Sequence, residues 1–392
     1  MASSDLAQAL QCALETPEAR TSVQRPACFN TGEFAQSIVR WQTSHGRHSL
    51  PWQNTRDPYR VWLSEIMLQQ TQVSTVLAYY ARFLERFPAV SDLAAADTDD
   101  VMALWAGLGY YSRARNLHRC AQEVVALHGG AFPRTAALLQ TLPGIGRSTA
   151  AAIASFCFAE RVAILDGNVK RVLTRVLAFG DDLAQSANER RLWDIATSLL
   201  PADDLPNAMP RYTQGVMDLG ATLCTTRAPQ CLLCPVKDLC AGLATGNPVR
   251  FPLKTKKLKR SALGLSLLWA ERPDGAVWLE KRPTKGIWGG LYCLPVFDSD
   301  AQLAAALPAA WRSTLQNLPH FLHVLTHKDL HLAPWVLKVP ANQTLPPTIL
   351  SPELLPSARL SPPLGRWFNA AEQTALGLPA PIRKLLDRAA AT

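Results

Sequence analysis

The sequence predicts a mainly α N-terminal region followed by an α+β region, and three observations carry that prediction. From Phe34 to Leu223, one segment after another spaces its apolar residues for a helix face. Residues 242–252 are then rich in Gly and Pro and run into the basic stretch Lys254-Thr255-Lys256-Lys257-Leu258-Lys259-Arg260, which together read as a linker. From Ser261 the pattern turns to strands: 263–269, 276–281 after the Pro273-Asp274-Gly275 turn, and 335–339, with helices near 302–306 and 381–388. At 392 residues the chain has room for two or three domains, each with its own core.

Composition narrows the class. A formal charge of +9 suits a polyanionic partner, although the same charge also serves solubility. No apolar run reaches the roughly 18 residues of a membrane span, since residues 149–159 stop at Glu160-Arg161. The first residues carry Asp5, Glu15 and Glu18 rather than a basic start and an apolar segment, so a secretory signal is not expected. The chain therefore reads as cytoplasmic, and its nine cysteines as ligands or core residues rather than disulfides.

Taken in order, residues 1–30 read as a mobile extension with a short helix at 6–14. Phe34, Ile38 and Trp41 open the helical region, and Gly46-Arg47-His48-Ser49-Leu50-Pro51-Trp52 forms a loop. Asp57-Pro58 reads as a helix start, with Val61, Met67 and Leu68 as the buried stripe. On that helix Glu65, Gln69 and Gln72 share a face. Glu65 has apolar neighbours and few balancing cations, which would raise its pKa and suit it to donate a proton. Helices over 73–87 and 101–104 lead to Gly107-Leu108-Gly109-Tyr110-Tyr111-Ser112-Arg113-Ala114-Arg115-Asn116, where Arg113, Arg115 and Arg119 combine phosphate-binding cations with stackable rings.

The organising stretch follows. In Leu142-Pro143-Gly144-Ile145-Gly146-Arg147-Ser148-Thr149-Ala150 a glycine turn aims backbone N–H groups outward, and Ser148 or Thr149 opens a helix whose positive end suits a phosphate. An apolar run, 162–165, should be buried and deliver Asp166 at its end, ahead of Gly167 and a helix carrying Lys170 and Arg171. Helices over 188–200 and 212–223 precede Cys224-x6-Cys231-x2-Cys234-x5-Cys240. Four such thiolates suit zinc as well as an iron-sulfur cluster, and spacing alone does not separate them.

The glycine turn, Asp166 and Ser64-Glu65-Ile66-Met67-Leu68-Gln69-Gln70-Thr71-Gln72-Val73 together resemble the DNA glycosylases related to endonuclease III, and most closely the MutY family of adenine DNA glycosylases. The resemblance spans roughly 32–390 and is strongest from Pro51 to Cys240. It implies a helix-hairpin-helix six-helix domain plus an iron-sulfur cluster domain over 31–245, a basic linker at 246–262, and a Nudix-like recognition domain at 263–392. It implies one 4Fe-4S cluster on Cys224, Cys231, Cys234 and Cys240. The catalytic set implied is Glu65, Asp166 and Asn168, with Ser148 standing where lyases of the superfamily carry a nucleophilic Lys. The base- and DNA-binding set is Trp52, Gln69, Gln70, Tyr110, Leu142, Gly144, Gly146, Gln214, Thr326 and His327. In it Tyr110 intrudes into the duplex, Gln214 faces the adenine, and Leu325-Thr326-His327 stands where the family has Phe-Ser-His to sense 8-oxoguanine. Gly286-Ile287-Trp288-Gly289-Gly290-Leu291-Tyr292-Cys293-Leu294-Pro295 resembles the entry to a Nudix fold. Residues 298–317 lack the glutamates that would bind magnesium, so pyrophosphate hydrolysis is not expected.

The implied activity is hydrolysis of the N-glycosidic bond of adenine mispaired with 8-oxoguanine or guanine in double-stranded DNA, by a monomer. Two alternatives stand beside it: an endonuclease III-like glycosylase that also cuts the strand, and a non-catalytic DNA-binding protein with a metal cluster.

Overall fold

The computed structural model describes residues 29–253, 255, 260–343, 345 and 365–389. Most of the expected N-terminal extension, its helix at 6–14, Cys12, Cys28 and most of the basic run lie outside the described residues. The described residues form two compact units, 29–69 with 126–253 and 70–125 with 260–389.

The first unit is helical. Its core joins Phe34 and Ile38 of the Thr31–His45 helix, Ala151 and Ala152 of Arg147–Phe158, Val172 and Leu173 of Gly167–Val176, Trp193 of Ser186–Ser198, and Val216 and Leu219 of Leu205–Thr222. Each such buried aliphatic side chain contributes roughly 1.5–3 kcal/mol relative to exposure. The Leu205–Thr222 helix packs on three of the others. It begins seven residues earlier than the apolar pattern suggests and runs through Pro210. A proline there leaves the carbonyl four residues back without its helical donor. Arg56 Nη2 donates to that carbonyl, Pro206 O, at 3.3 Å.

The Pro58–Leu68 helix starts as the sequence suggests, with Asp57 accepting from Tyr59 N at 3.0 Å and Pro58 in the first turn. It ends sooner than expected. Gln69 is its cap, Gln70 turns into the left-handed region at φ 57°, and Gln72 caps the next helix, Val73–Arg86. Gln72 is thus not on the face of Glu65, because the periodicity of two consecutive helices reads as one when the break holds neither Gly nor Pro.

In the second unit, Phe83 of Val73–Arg86 meets Trp105 of Thr98–Trp105 edge to face, 5.7 Å apart at 88°. A mixed sheet is built round Ser261–Glu271, which runs parallel to Lys328–Lys338 along eleven residue pairs and antiparallel to Val277–Lys281. Val277–Lys281 pairs in turn with Tyr292–Cys293 and Gly365–Phe368. The strand expected at 335–339 extends back to Lys328, since Leu330 and Leu332 are buried while His331 between them faces out. Phe321–Val324 pairs antiparallel with its beginning, forming a hairpin. Asp300 of the 298–317 stretch accepts from Ser266 Oγ at 2.6 Å and Trp335 Nε1 at 2.7 Å, a bond set internal to the fold.

Candidate active site

Residues 163–165 are buried, so the chain leaves the core at Asp166. The Asp166 carboxylate caps Gly167–Val176, accepting from Val169 N at 2.7 Å. One residue upstream, Leu165 N donates to Ser148 Oγ at 3.2 Å. Asp166 is therefore held from both sides: by the helix it caps, and by the first turn of Arg147–Phe158. Gln69 Nε2 donates to Thr149 Oγ1 in that same turn at 3.3 Å, which ties in the end of the Glu65 helix.

Burial raises both carboxyl groups, but their other neighbours differ. Glu65 keeps a little exposed surface but lies deep in packed protein; burial, then the charge of Asp166, pushes its pKa up to about 7. Burial also raises Asp166, but there the N–H groups of Val169 and Asn168 and the cations Arg171 and Lys170 pull the other way. Both carboxyls thus sit above their ordinary range, and Asp166 differs in having donors and cations that oppose the effect of burial.

Further polar contacts tie the helix that Asp166 caps, and the Leu205–Thr222 helix, to their neighbours; Gly220, Glu189 and Arg47 are the members that sequence spacing did not single out. Arg171 Nη2 donates to Asn168 Oδ1 at 2.7 Å and to Gly220 O at 2.6 Å. A Cβ on Gly220 would meet Asn168 Cβ at 2.7 Å, so the close approach needs glycine. Lys170 Nζ pairs with Glu189 Oε1 at 2.6 Å. Asp218 is fully buried and accepts from Arg47 N at 2.9 Å, Arg47 Nε at 2.6 Å and Gln214 Nε2 at 2.8 Å. With its amide nitrogen facing the carboxylate, Gln214 turns its oxygen elsewhere. Arg47 Nη2 also pairs with Asp218, at 2.6 Å. Asp218→Ala would strand the guanidinium in a part-buried site, and an unfolding experiment should show a loss of about 3–5 kcal/mol.

In the glycine turn Leu142 and Ile145 are buried while Gly144, Gly146 and Arg147 are exposed. Gly144 has φ 76°, a backbone that side chains rarely adopt. Gly146, rather than Ser148, caps Arg147–Phe158, and no side chain accepts from its first turn. That turn offers backbone N–H groups and the positive helix end to an anion. Trp52, expected against the base, is 7% exposed and lies in the core.

In the second unit Tyr110 is partly exposed, with φ 50°. Arg113 is not an open phosphate cation. It is buried, donates to Thr71 Oγ1 at 3.1 Å and Gly109 O at 3.3 Å, and lies over the rings of Trp105 and Tyr110. Burial lowers its pKa to about 10. Arg115 Nη1 donates to Gly289 O at 2.5 Å, and Arg119 remains exposed. Gln70, Thr326 and His327 are exposed. The hydroxyls of Tyr110 and Thr326 hydrogen-bond to each other.

Cys224, Cys231, Cys234 and Cys240 line one cavity beside Val172, Arg175 and Leu219. Among the described residues, no three His, Cys, Asp or Glu side chains are gathered tightly enough for a single metal ion. Arg175 Nη1 donates to Cys224 Sγ at 3.4 Å, and burial pushes the Cys234 thiol up to about 12. The donor set, four thiols around one space beside a guanidinium, fits a group that binds thiolates and spreads them apart.

Residues 63–197 match the family described as HhH-GPD superfamily base excision DNA repair protein, and residues 267–388 match the NUDIX domain. Fold and site thus define a DNA repair glycosylase of the helix-hairpin-helix superfamily carrying a Nudix-like domain. The adenine DNA glycosylase of Buchnera aphidicola subsp. Acyrthosiphon pisum (strain APS) is 34% identical over 356 residues, covering 90% of this chain and 97% of its own. That of Rattus norvegicus is 34% identical over 382 residues, with 80% and 72% covered. Among solved structures, a thermostable thymine-DNA glycosylase is 27% identical with a TM-score of 0.48, covering 55% of this chain and 97% of its own. The chain belongs to the adenine DNA glycosylase family, base-excision-repair enzymes acting on N-glycosyl bonds. Its partner is DNA, and no described helix is long and apolar enough to cross a membrane.

Proposed function

We propose that this chain is a monofunctional glycosylase, a monomer that releases adenine mispaired with 8-oxoguanine, or with guanine, from duplex DNA. The observation that carries the reading is the Glu65–Asp166 pair: two desolvated carboxyl groups, the charge of Asp166 raising Glu65, of which only Asp166 is also met by backbone N–H groups and cations. Adenine must first leave the stack, at a cost of a few kcal/mol. The exposed Gln70 and Tyr110 would help fill the gap, and the glycine turn at Gly144 and Gly146 would grip the phosphates. Glu65 then gives its proton to the departing base as the C–N bond breaks and its electron pair leaves with adenine. Asp166, as the anion, faces the positive charge left on the sugar. Water attacks that carbon and passes its proton to the Glu65 carboxylate, which restores the acid. Asn168, bonded by Arg171, keeps the site oriented, and the Gln214 oxygen, left free by Asp218, suits the exocyclic amine of adenine.

Strand cutting through a Schiff base would need a free amine. Ser148 spends its hydroxyl on Leu165 N, and Lys170 is paired with Glu189. Cys224, Cys231, Cys234 and Cys240 are the residues that would hold a 4Fe-4S cluster. When bound, it would cross-link the 224–240 segment next to the Gly167–Val176 helix whose cap is Asp166. The enzyme is read as cytoplasmic and associated with the nucleoid when on DNA.

Single-turnover base release from three duplexes tests this reading, with adenine opposite 8-oxoguanine, guanine and thymine. Release is expected in that order of rate, with the thymine duplex untouched. Equal rates on all three would overturn the mismatch assignment.

A further inference from the structure

We infer that Arg260 is a positioning residue for recognition of the base opposite the excised adenine, because its guanidinium holds the Thr326-His327 hairpin tip in shape. The inference rests on the proposed reading of that tip as the 8-oxoguanine contact.

The tip is the exposed end of a hairpin, and Arg260 supplies the side-chain bonds to its backbone carbonyls. Phe321–Val324 and Lys328–Lys338 pair as far as Val324 opposite Asp329, Leu325 N then donates to Lys328 O at 2.8 Å, and Thr326 and His327 project exposed beyond. Arg260 immediately precedes the Ser261–Glu271 strand, whose first residue donates from its N–H to His327 O at 3.2 Å. Its Nη2 donates to Leu325 O at 2.8 Å and its Nη1 to Thr326 O at 3.3 Å, while the guanidinium pairs with Asp329. One planar fork thus meets two carbonyls of the turn and a carboxylate at its base, a geometry an ammonium could not reproduce. On the far side the Thr326 hydroxyl bonds that of Tyr110. A hydroxyl has one donor and two acceptor sites, so this bond leaves capacity for a nucleobase. Leu325 offers no aromatic ring to stack, so the tip depends on being shaped in advance for whatever selectivity it has.

An exposed arginine beside a basic run could instead be a simple phosphate contact. The two roles separate experimentally. Binding and single-turnover release are measured for the full-length wild type, Arg260→Ala and Asp329→Asn, on duplexes with adenine opposite 8-oxoguanine or guanine, over a range of salt. Arg260→Ala should cut affinity and rate on the 8-oxoguanine duplex about tenfold, as expected for losing charge-assisted bonds. The guanine duplex should stay within about twofold and the salt dependence unchanged. Asp329→Asn removes no cation, so it should move the 8-oxoguanine duplex the same way, by roughly two- to fivefold, an exposed ion pair being weak. Equal losses on both duplexes with a shallower salt slope would overturn the inference in favour of phosphate contact, and an unchanged ratio in both variants would overturn it outright. A wild type that does not distinguish the duplexes would refute the reading of the tip itself, and Arg260 with it, before any variant is compared.

Discussion

Asp166→Asn is expected to lower the single-turnover rate of adenine release by about 10²–10³, the usual cost of removing one preorganised charge from a transition state. Stability should barely fall, because Asn caps a helix as well as Asp does and the bond to Val169 N can be kept. Burial raises the Asp166 pKa, so its charge weakens the fold as pH rises; the variant should be equal or better in stability at neutral pH. A second consequence follows from coupling. The Asp166 charge helps raise Glu65, so the variant's residual activity should lose its basic limb at lower pH than the wild type does. Rapid-quench rates across pH, beside thermal melts, check both parts. Near-normal rates in a folded variant would remove Asp166 from the chemistry.

Glu65→Gln is expected to reduce release by about 10²–10⁴ while making the protein more stable above neutrality. The sign follows from burial. A carboxyl whose folded pKa is about 7, against an ordinary 4.5, favours the folded state below pH 4.5 and loses that advantage as pH rises to 7. Above pH 7 the wild type carries a buried charge that Gln does not, a penalty of about 3 kcal/mol. Melting curves should therefore show the variant gaining on the wild type between pH 5 and pH 8. In the wild type, release should fall roughly tenfold per pH unit above 7 as the acid is lost. A flat profile to pH 9 would exclude Glu65 as the proton donor.

The residues proposed to carry the chemistry were more legible in sequence than their supports. Asp166 could be placed because a short apolar run ending at a carboxylate, before Gly and a new helix, has few other folded forms. Glu65 could be read from its apolar flanks. The break after Leu68 was hidden because Gln70 takes a left-handed backbone without being glycine. Arg113 looked like a phosphate ligand because sequence shows its charge but not the carbonyls of Leu108 and Gly109 that surround it. Gly220, Asp218 and Arg260 depend on contacts across long stretches of chain, which no local pattern records. The strand from Lys328 was only half visible because Pro334 interrupts the apolar alternation. The helix starts at Asp57-Pro58 and Asp166-Gly167, by contrast, fell where their caps put them.

The most direct test incubates the purified protein with a duplex carrying one adenine opposite 8-oxoguanine and divides each time point into untreated and alkali-treated halves. Breaks at the adenine only after alkali are the predicted result, since base release by the Glu65–Asp166 pair leaves an intact backbone. Equal breaks without alkali would contradict the account by showing an amine nucleophile at work, and no breaks in either half with DNA binding retained would contradict catalysis altogether.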